Sequence, residues 1–358
     1  MKLRNWVLVV VGLFVTVALL NAATAKEPDS VIKERFAALK VGKAQTYKNL
    51  TMYPLLGASY GPRYITLDEA LSSKKAEVLE KGSGEVPKLV FSNKSADRIL
   101  LMDGEELIGA KQNRILNTSI LIGPRKVAEI PVSCVEAGRW TSVSPTFKSG
   151  GTQLFSSARQ SNNENVTINL NRNAKAGAVS NQSKVWDDVA EKRAKLHVTG
   201  SSSAMHDAYV QKSGSVESYA RAFKAVEGQV GCVFAINGRI VGADIFSSQS
   251  ALKKLMPKIA KSYSLDAISV QGSPAKGSTD SAERFLLWGK NAGMKSMPTV
   301  GEGRDVRLLS STVSGAALVA EGAAIHISLF ARPPKADTVK PSNVTPLQRP
   351  SQRSRNTN

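Results

Sequence analysis

Apolar and polar positions change their period twice along the chain. Residues 26–45 are mostly polar, with a weak helical period over Ser30 to Leu39. From Thr46 to Trp140 the apolar residues fall into short β-type runs separated by turn chemistry. Lys88–Ser92 reads as one strand and Arg98–Met102 as another, followed by Asp103-Gly104, a dipeptide suited to a two-residue hairpin turn. A return strand is expected over Glu105–Asn117. A second hairpin is expected from Ser119–Ile122, through Gly123-Pro124-Arg125-Lys126, into Val135. This half therefore reads as an antiparallel β-sandwich or a related barrel.

Residues 156–184 hold seven asparagines, many serines and little apolar periodicity, and are expected to form a surface excursion. The period then becomes helical. Val185, Trp186, Val189, Ala190 and Arg193 share a helix face, and Val216, Tyr219, Ala220, Phe223 and Val226 form a second stripe, with Ser215 as its expected N-cap. Asn237-Gly238 between two apolar runs is the clearest hairpin signal. A basic amphipathic helix is expected over Ser248–Tyr263, kinked or divided at Pro257. Another helix spans Ser281–Asn291, and a last hairpin, Ala317–Phe330, turns at Glu321-Gly322. The expected organisation is α+β: a mainly-β half (26–155), the excursion (156–184), an α+β half (185–334) and a disordered basic tail (335–358).

Composition adds a compartment and a charge. Lys2 and Arg4 precede an almost wholly apolar run from Trp6 to Leu20, and Ala23-Thr24-Ala25 supplies the small residues that a signal peptidase requires. The run is about 15 residues, short of the about 20 that span a bilayer. An exported protein cleaved after Ala25, secreted or periplasmic, is expected. With 48 Lys and Arg against 29 Asp and Glu, the formal charge is +19, which favours contact with anionic surfaces or polymers. No nucleic-acid-binding pattern accompanies the charge. The two cysteines, Cys134 and Cys232, allow one disulfide in an oxidising compartment, and spacing alone does not decide whether it forms.

Candidate chemistry concentrates in two segments. The first, DGEELIGAKQNRILN (103–117), carries Asp103, Glu105, Glu106, Lys111, Gln112, Arg114 and Asn117; the second, IPVSCVEAGRW (130–140), carries Cys134, Glu136, Arg139 and Trp140. Strand alternation across the first places Glu105, Lys111, Asn113 and Asn117 on one face and Glu106, Gln112 and Arg114 on the other. These residues describe a polar ligand site. The alternative is a hydrolase or transferase with Cys134 as nucleophile, or with the carboxylates Glu105, Glu106 and Glu136 moving protons and His326 among the candidate bases. The bland counterpart is a solvated sheet face with Cys134 in a core. Metal-ligand spacing, Gly-rich phosphate loops and Gly-x-Ser-x-Gly are absent, so no cofactor or metal is indicated.

The two segments, together with VWDDVAEK (185–192), GCVFAINGRIVGADIF (231–246) and GAALVAEGAAIHISLF (315–330), resemble the ARG and rhodanese-phosphatase-superfamily-associated protein domain family, over about Tyr47 to Ala331. The resemblance implies an association with prokaryotic conflict systems and no established biochemical activity. It also implies that Cys134 belongs to a family motif while Cys232 occupies a position usually held by a small non-thiol residue, which argues against a disulfide between them.

Overall fold

The structure, a computed structural model, describes residues 26–332 apart from 83, 86, 201, 271 and 273–277. The expected export segment and basic tail lie outside the described residues. In the first half, α1 (Pro28–Ala37) leads into β1 (Lys40–Val41), β2 (Gln45–Tyr47), β3 (Leu50–Leu56), β4 (Ile65–Thr66), α2 (Leu67–Ser72) and β5 (Ala76–Glu80). There follow β6 (Lys88–Asn93), β7 (Ile99–Leu101), β8 (Glu105–Gly109), β9 (Arg114–Leu116), β10 (Ile120–Ile122), β11 (Val127–Cys134) and β12 (Phe147–Gln153). The second half comprises α3 (Ser156–Arg172), α4 (Gln182–Lys195), α5 (Met205–Gln211), α6 (Ser213–Ala222), β13 (Gln229–Ile236), β14 (Arg239–Phe246), α7 (Gln249–Ser269), α8 (Thr279–Lys290), β15 (Gly293–Pro298), β16 (Arg304–Leu309), β17 (Val313–Ala320) and β18 (Ala323–Ala331). The fold is α+β, as the sequence pattern implies.

Three sheets organise the chain. The largest runs β1-β3-β13-β14-β18-β17-β16-β15, with β2 added beside β3, all antiparallel. Its central strands β13, β17 and β18 are buried on both faces because helices cover both. Leu252, Leu255, Ile259 and Tyr263 of α7, with Tyr219 of α6, pack on Met52, Phe234 and Ile325. Phe36 of α1 and Phe285 of α8 pack on Tyr53, Val233 and Ile327. A six-stranded sheet, β12-β8-β9-β11-β6-β5, and a three-stranded one, β10-β7-β4, enclose a second core containing Leu89, Phe91, Ile99, Leu101, Leu107 and Ile130. This is the sandwich-like part. Because β1–β3 belong to the large sheet, the two halves are joined through shared hydrogen bonding rather than by a linker.

Several local expectations are corrected. Residues 156–172 form α3 instead of a surface excursion; its inner face mixes Ala158, Val166 and Leu170 with the polar Arg159, Asn162, Asn163 and Thr167, so no continuous apolar stripe announces it. Asp103-Gly104 does not close a hairpin: β7 pairs with β10 and β4, while β8 crosses into the six-stranded sheet. Likewise β10 and β11 do not pair with each other; β11 lies between β6 and β9. Pro257 leaves α7 as one helix, and Lys253, whose carbonyl loses its donor, is on the exposed side. The second helix begins at Ser213, with Lys212 rather than Ser215 at its N-cap. The Asn237-Gly238 and Glu321-Gly322 turns form as expected, with the positive φ angles that a two-residue connection needs.

Candidate functional site

The segment 103–117 is the hub of the polar interior, and its residues point in different directions. The expected single strand over Glu105–Asn117 is two strands, β8 and β9, folded on each other with Glu106 opposite Ile115 and Leu107 opposite Arg114. The turn between them reverses the alternation. Even-numbered Glu106 therefore shares its side of the sheet with odd-numbered Ile115, and Arg114 shares the other with Leu107 and Cys134. The sequence-based grouping of Glu106 with Gln112 and Arg114 is thereby overturned.

Asp103 enters a fully buried charge network. Arg159 of α3 donates from Nη2 to Asp244 Oδ1 at 2.6 Å and from Nη1 to Asp244 Oδ2 at 3.1 Å, and Nη2 also reaches both oxygens of Asp103 at 3.2 Å. His326 lies against the same group, with Nε2 3.2 Å from Asp244 Oδ1 and Nδ1 2.7 Å from the Ser119 hydroxyl. Tyr263 donates its hydroxyl to Asp244 Oδ2. Burial alone would raise the Asp244 carboxyl, but the charges and hydrogen bonds of Arg159 and His326 outweigh it and hold it far below the usual range. Ligand atoms of Asp103, Asp244 and His326 lie within 4.8 Å of one another, a spacing suited to a cation. The guanidinium of Arg159 already occupies that space, bonded to both carboxylates. Gly104 makes room for it: φ is +75°, and a Cβ at this position would sit 3.1 Å from the Arg159 chain.

Glu105 and Glu106 tie β8 to two other helices. Glu105 accepts from Lys258 Nζ of α7 at 2.7 Å and from the Met102 N–H at 2.8 Å. Burial disfavours the Lys258 ammonium, but Glu105 and Asp68 together hold its pKa above the ordinary value. Glu106, on the opposite side, accepts from the Thr152 hydroxyl and stands 2.9 Å from His206 Nδ1 of α5. That hydrogen bond raises the His206 pKa, against the opposing effect of burial. Its imidazole is partly exposed.

Glu136 and Arg139 are engaged with each other. Arg139 donates Nε and Nη2 to the two Glu136 oxygens at 2.7 and 2.6 Å, while Glu136 Oε2 accepts the Asn113 N–H and Gln112 reaches the Glu136 carbonyl. The fork fastens the 110–113 turn, and Arg139 also caps the Ala110 carbonyl. Asn117 is likewise structural, donating to Ala178 and accepting from Ser133.

The remaining candidates gather at one edge. Arg114 is fully buried, and Nη1 donates to Gln112. Its Nε and Nη2, the side-on pair that grips a carboxylate, have no hydrogen-bond partner among the described residues. Glu80 stands beside them, with Oε1 3.9 Å from Nη2 and Oε2 also without a hydrogen-bond partner among the described residues. The exposed indole of Trp140 covers this place, its centroid 5.9 Å from the Arg114 guanidinium carbon and 5.1 Å from Lys111 Nζ. Cys134 lies opposite Arg114 in the ladder, and burial pushes its thiol up to about 11, so the reactive thiolate is suppressed at neutral pH. Both cysteines are buried free thiols. Of the histidines, His326 belongs to the Asp244 network and His206 to Glu106, on the side of β8 away from Cys134.

The structure thus brings together Lys111, Gln112, Arg114, Trp140 and Glu80, and separates them from Asp103, Glu105 and Glu106. Sequence reasoning missed Glu80, Arg159, Asp244 and Lys258, and it offered His206 only as a candidate base for Cys134, not as the partner of Glu106. Only Asp244 carried a usable signal, an isolated charge inside the apolar run of β14. A family model described as ARG and Rhodanese-Phosphatase-superfamily-associated Protein domain matches residues 38–330. No curated protein and no solved structure matches the chain.

Proposed function

The chain belongs to the ARG and rhodanese-phosphatase-superfamily-associated protein domain family, and we propose that it is a binding domain whose ligand site lies between Arg114, Glu80 and Trp140. One observation carries this reading. A fully buried guanidinium whose side-on donors have no hydrogen-bond partner among the described residues sits next to a carboxylate oxygen in the same condition. Buried polar atoms of this kind cost about 1–3 kcal/mol each when left without a partner, and a ligand that brings an acceptor and a donor together relieves both. A small zwitterion, such as an α-amino acid, meets that demand: its carboxylate faces Arg114 and its ammonium faces Glu80 Oε2. Trp140, on the exposed segment that follows Arg139, would act as the cover. A panel of free amino acids, with simple carboxylates and amines as controls, tests this by thermal shift. Stabilisation by zwitterions above both control sets supports the reading; equal or absent shifts across the panel overturn it.

Catalysis by Cys134 is disfavoured by its buried, protonated thiol and by the distribution of the histidines. The location is proposed to be outside the cytoplasm, from the apolar run and the Ala23-Thr24-Ala25 site. N-terminal sequencing from the native host should find Lys26 first; a protein retaining Met1 would refute cleavage.

A further inference from the structure

A second concavity in the molecule lies remote in sequence from the 103–117 segment. A groove of about 1220 Å³ lies among α8, the β13–β14 turn and the end of α7, larger than most drug-sized pockets. Its lining combines basic and apolar groups. Arg284 and Trp288 are one turn apart on α8 and face the same way, while Phe285 and Leu286 turn inward. Arg239 follows the Asn237-Gly238 turn, whose φ angles are +51° and +77°, and lines the same groove.

Arg239 and Arg284 are exposed and make no ion pair or hydrogen bond among the described residues. The one acid among the described lining residues, Asp266, is already paired with Lys192 at 2.6 Å and bonded to Ser156 and Ser157. The local balance is therefore positive and unanswered. The same lining carries apolar groups, with Trp288 39 % and Val270 45 % exposed and Ile240 and Val241 half-buried. An exposed indole and aliphatic groups gathered in one groove with cations suit a ligand that has both characters.

We propose that this groove binds an amphiphilic organic anion, its aromatic or aliphatic body on Trp288, Val270 and Ile240 and its carboxylate, sulfonate or phosphate between Arg239 and Arg284. Arginine suits this role because its planar fork holds an oxyanion at two points and stays charged at all accessible pH. The site is independent of Arg114 and Trp140.

Anilinonaphthalene sulfonate, an aromatic anion whose fluorescence rises on binding, is a direct probe, with uncharged phenylnaphthylamine as its partner. The full-length folded protein should bind one equivalent of the sulfonate. Arg239→Ala with Arg284→Ala should weaken that binding at least about tenfold while leaving phenylnaphthylamine binding and the melting temperature unchanged. Trp288→Ala should weaken both probes, and Trp140→Ala neither. Sulfonate binding that is absent from the native protein, or equal in all these variants, would overturn the proposal. A loss confined to variants with a lowered melting temperature would do the same.

Discussion

Arg159 and Asp244, 85 residues apart in the chain, face each other through a two-point contact at 2.6 and 3.1 Å with neither side chain exposed to solvent. The same guanidinium holds Asp103, so one residue of α3 joins the Asp103-Gly104 turn to the centre of the large sheet. Arg159→Met would leave two carboxylates buried beside an apolar chain. Loss of one partner of a buried pair costs about 3–5 kcal/mol, and urea unfolding should show a loss of that size or complete failure to fold. A change under about 0.5 kcal/mol, the scale of neutral surface substitutions, would mean that the network carries no stability.

Acid should weaken this network with a defined sign. The Asp244 carboxyl is held below its ordinary value, so its contribution is present above the unfolded pKa near 3.8 and lost as pH falls toward the folded value. Stability measured from pH 5 downward should decline more steeply in the wild type than in Asp244→Asn. Parallel slopes would contradict the assignment.

His206 predicts the opposite dependence. Its pKa is raised above 6.5 by Glu106, so the pair stabilises the fold fully below that pH and the contribution fades as pH rises through the folded value. His206→Gln should flatten the stability profile between pH 6 and pH 9. A wild-type profile already flat there would remove the pair from the account.

Both thiols should be inert. Burial pushes Cys134 up to about 11 and Cys232 well above its ordinary value. A thiol reagent at neutral pH should label neither in the native protein and both after denaturation. Rapid native labelling of Cys134 would restore it as a candidate nucleophile.

Much of this architecture was legible where local chemistry and tertiary structure agree. Asn237-Gly238 and Glu321-Gly322 each join two apolar runs that then pair with one another. The helix over Ser248–Tyr263 was visible because Leu252, Leu255 and Ile259 form an apolar stripe, although it continues to Ser269. By contrast, α3 was invisible because Arg159, Asn162 and Asn163 replace apolar residues on its buried face. The Asp103-Gly104 turn was recognised as a turn, but a turn signal does not name the strand's partner, and β8 pairs with β9 and β12. Within the site, the density of polar residues in 103–117 was apparent, and their division was not. That division depends on the parity change between Gly109 and Arg114 and on partners more than 30 residues away, such as His206 for Glu106.

The central claim is that 103–117 separates into tethers (Asp103, Glu105 and Glu106) and a binding edge at Arg114. Calorimetric titration of zwitterionic amino acids into wild-type protein and Arg114→Lys tests it most directly. Lysine keeps the charge and loses the fork, so the account predicts binding to the wild type, at least about tenfold weaker binding to the variant, and closely similar urea midpoints. No binding to the wild type, together with a stability loss of about 3–5 kcal/mol in Arg114→Lys, would make Arg114 another tether and contradict the claim.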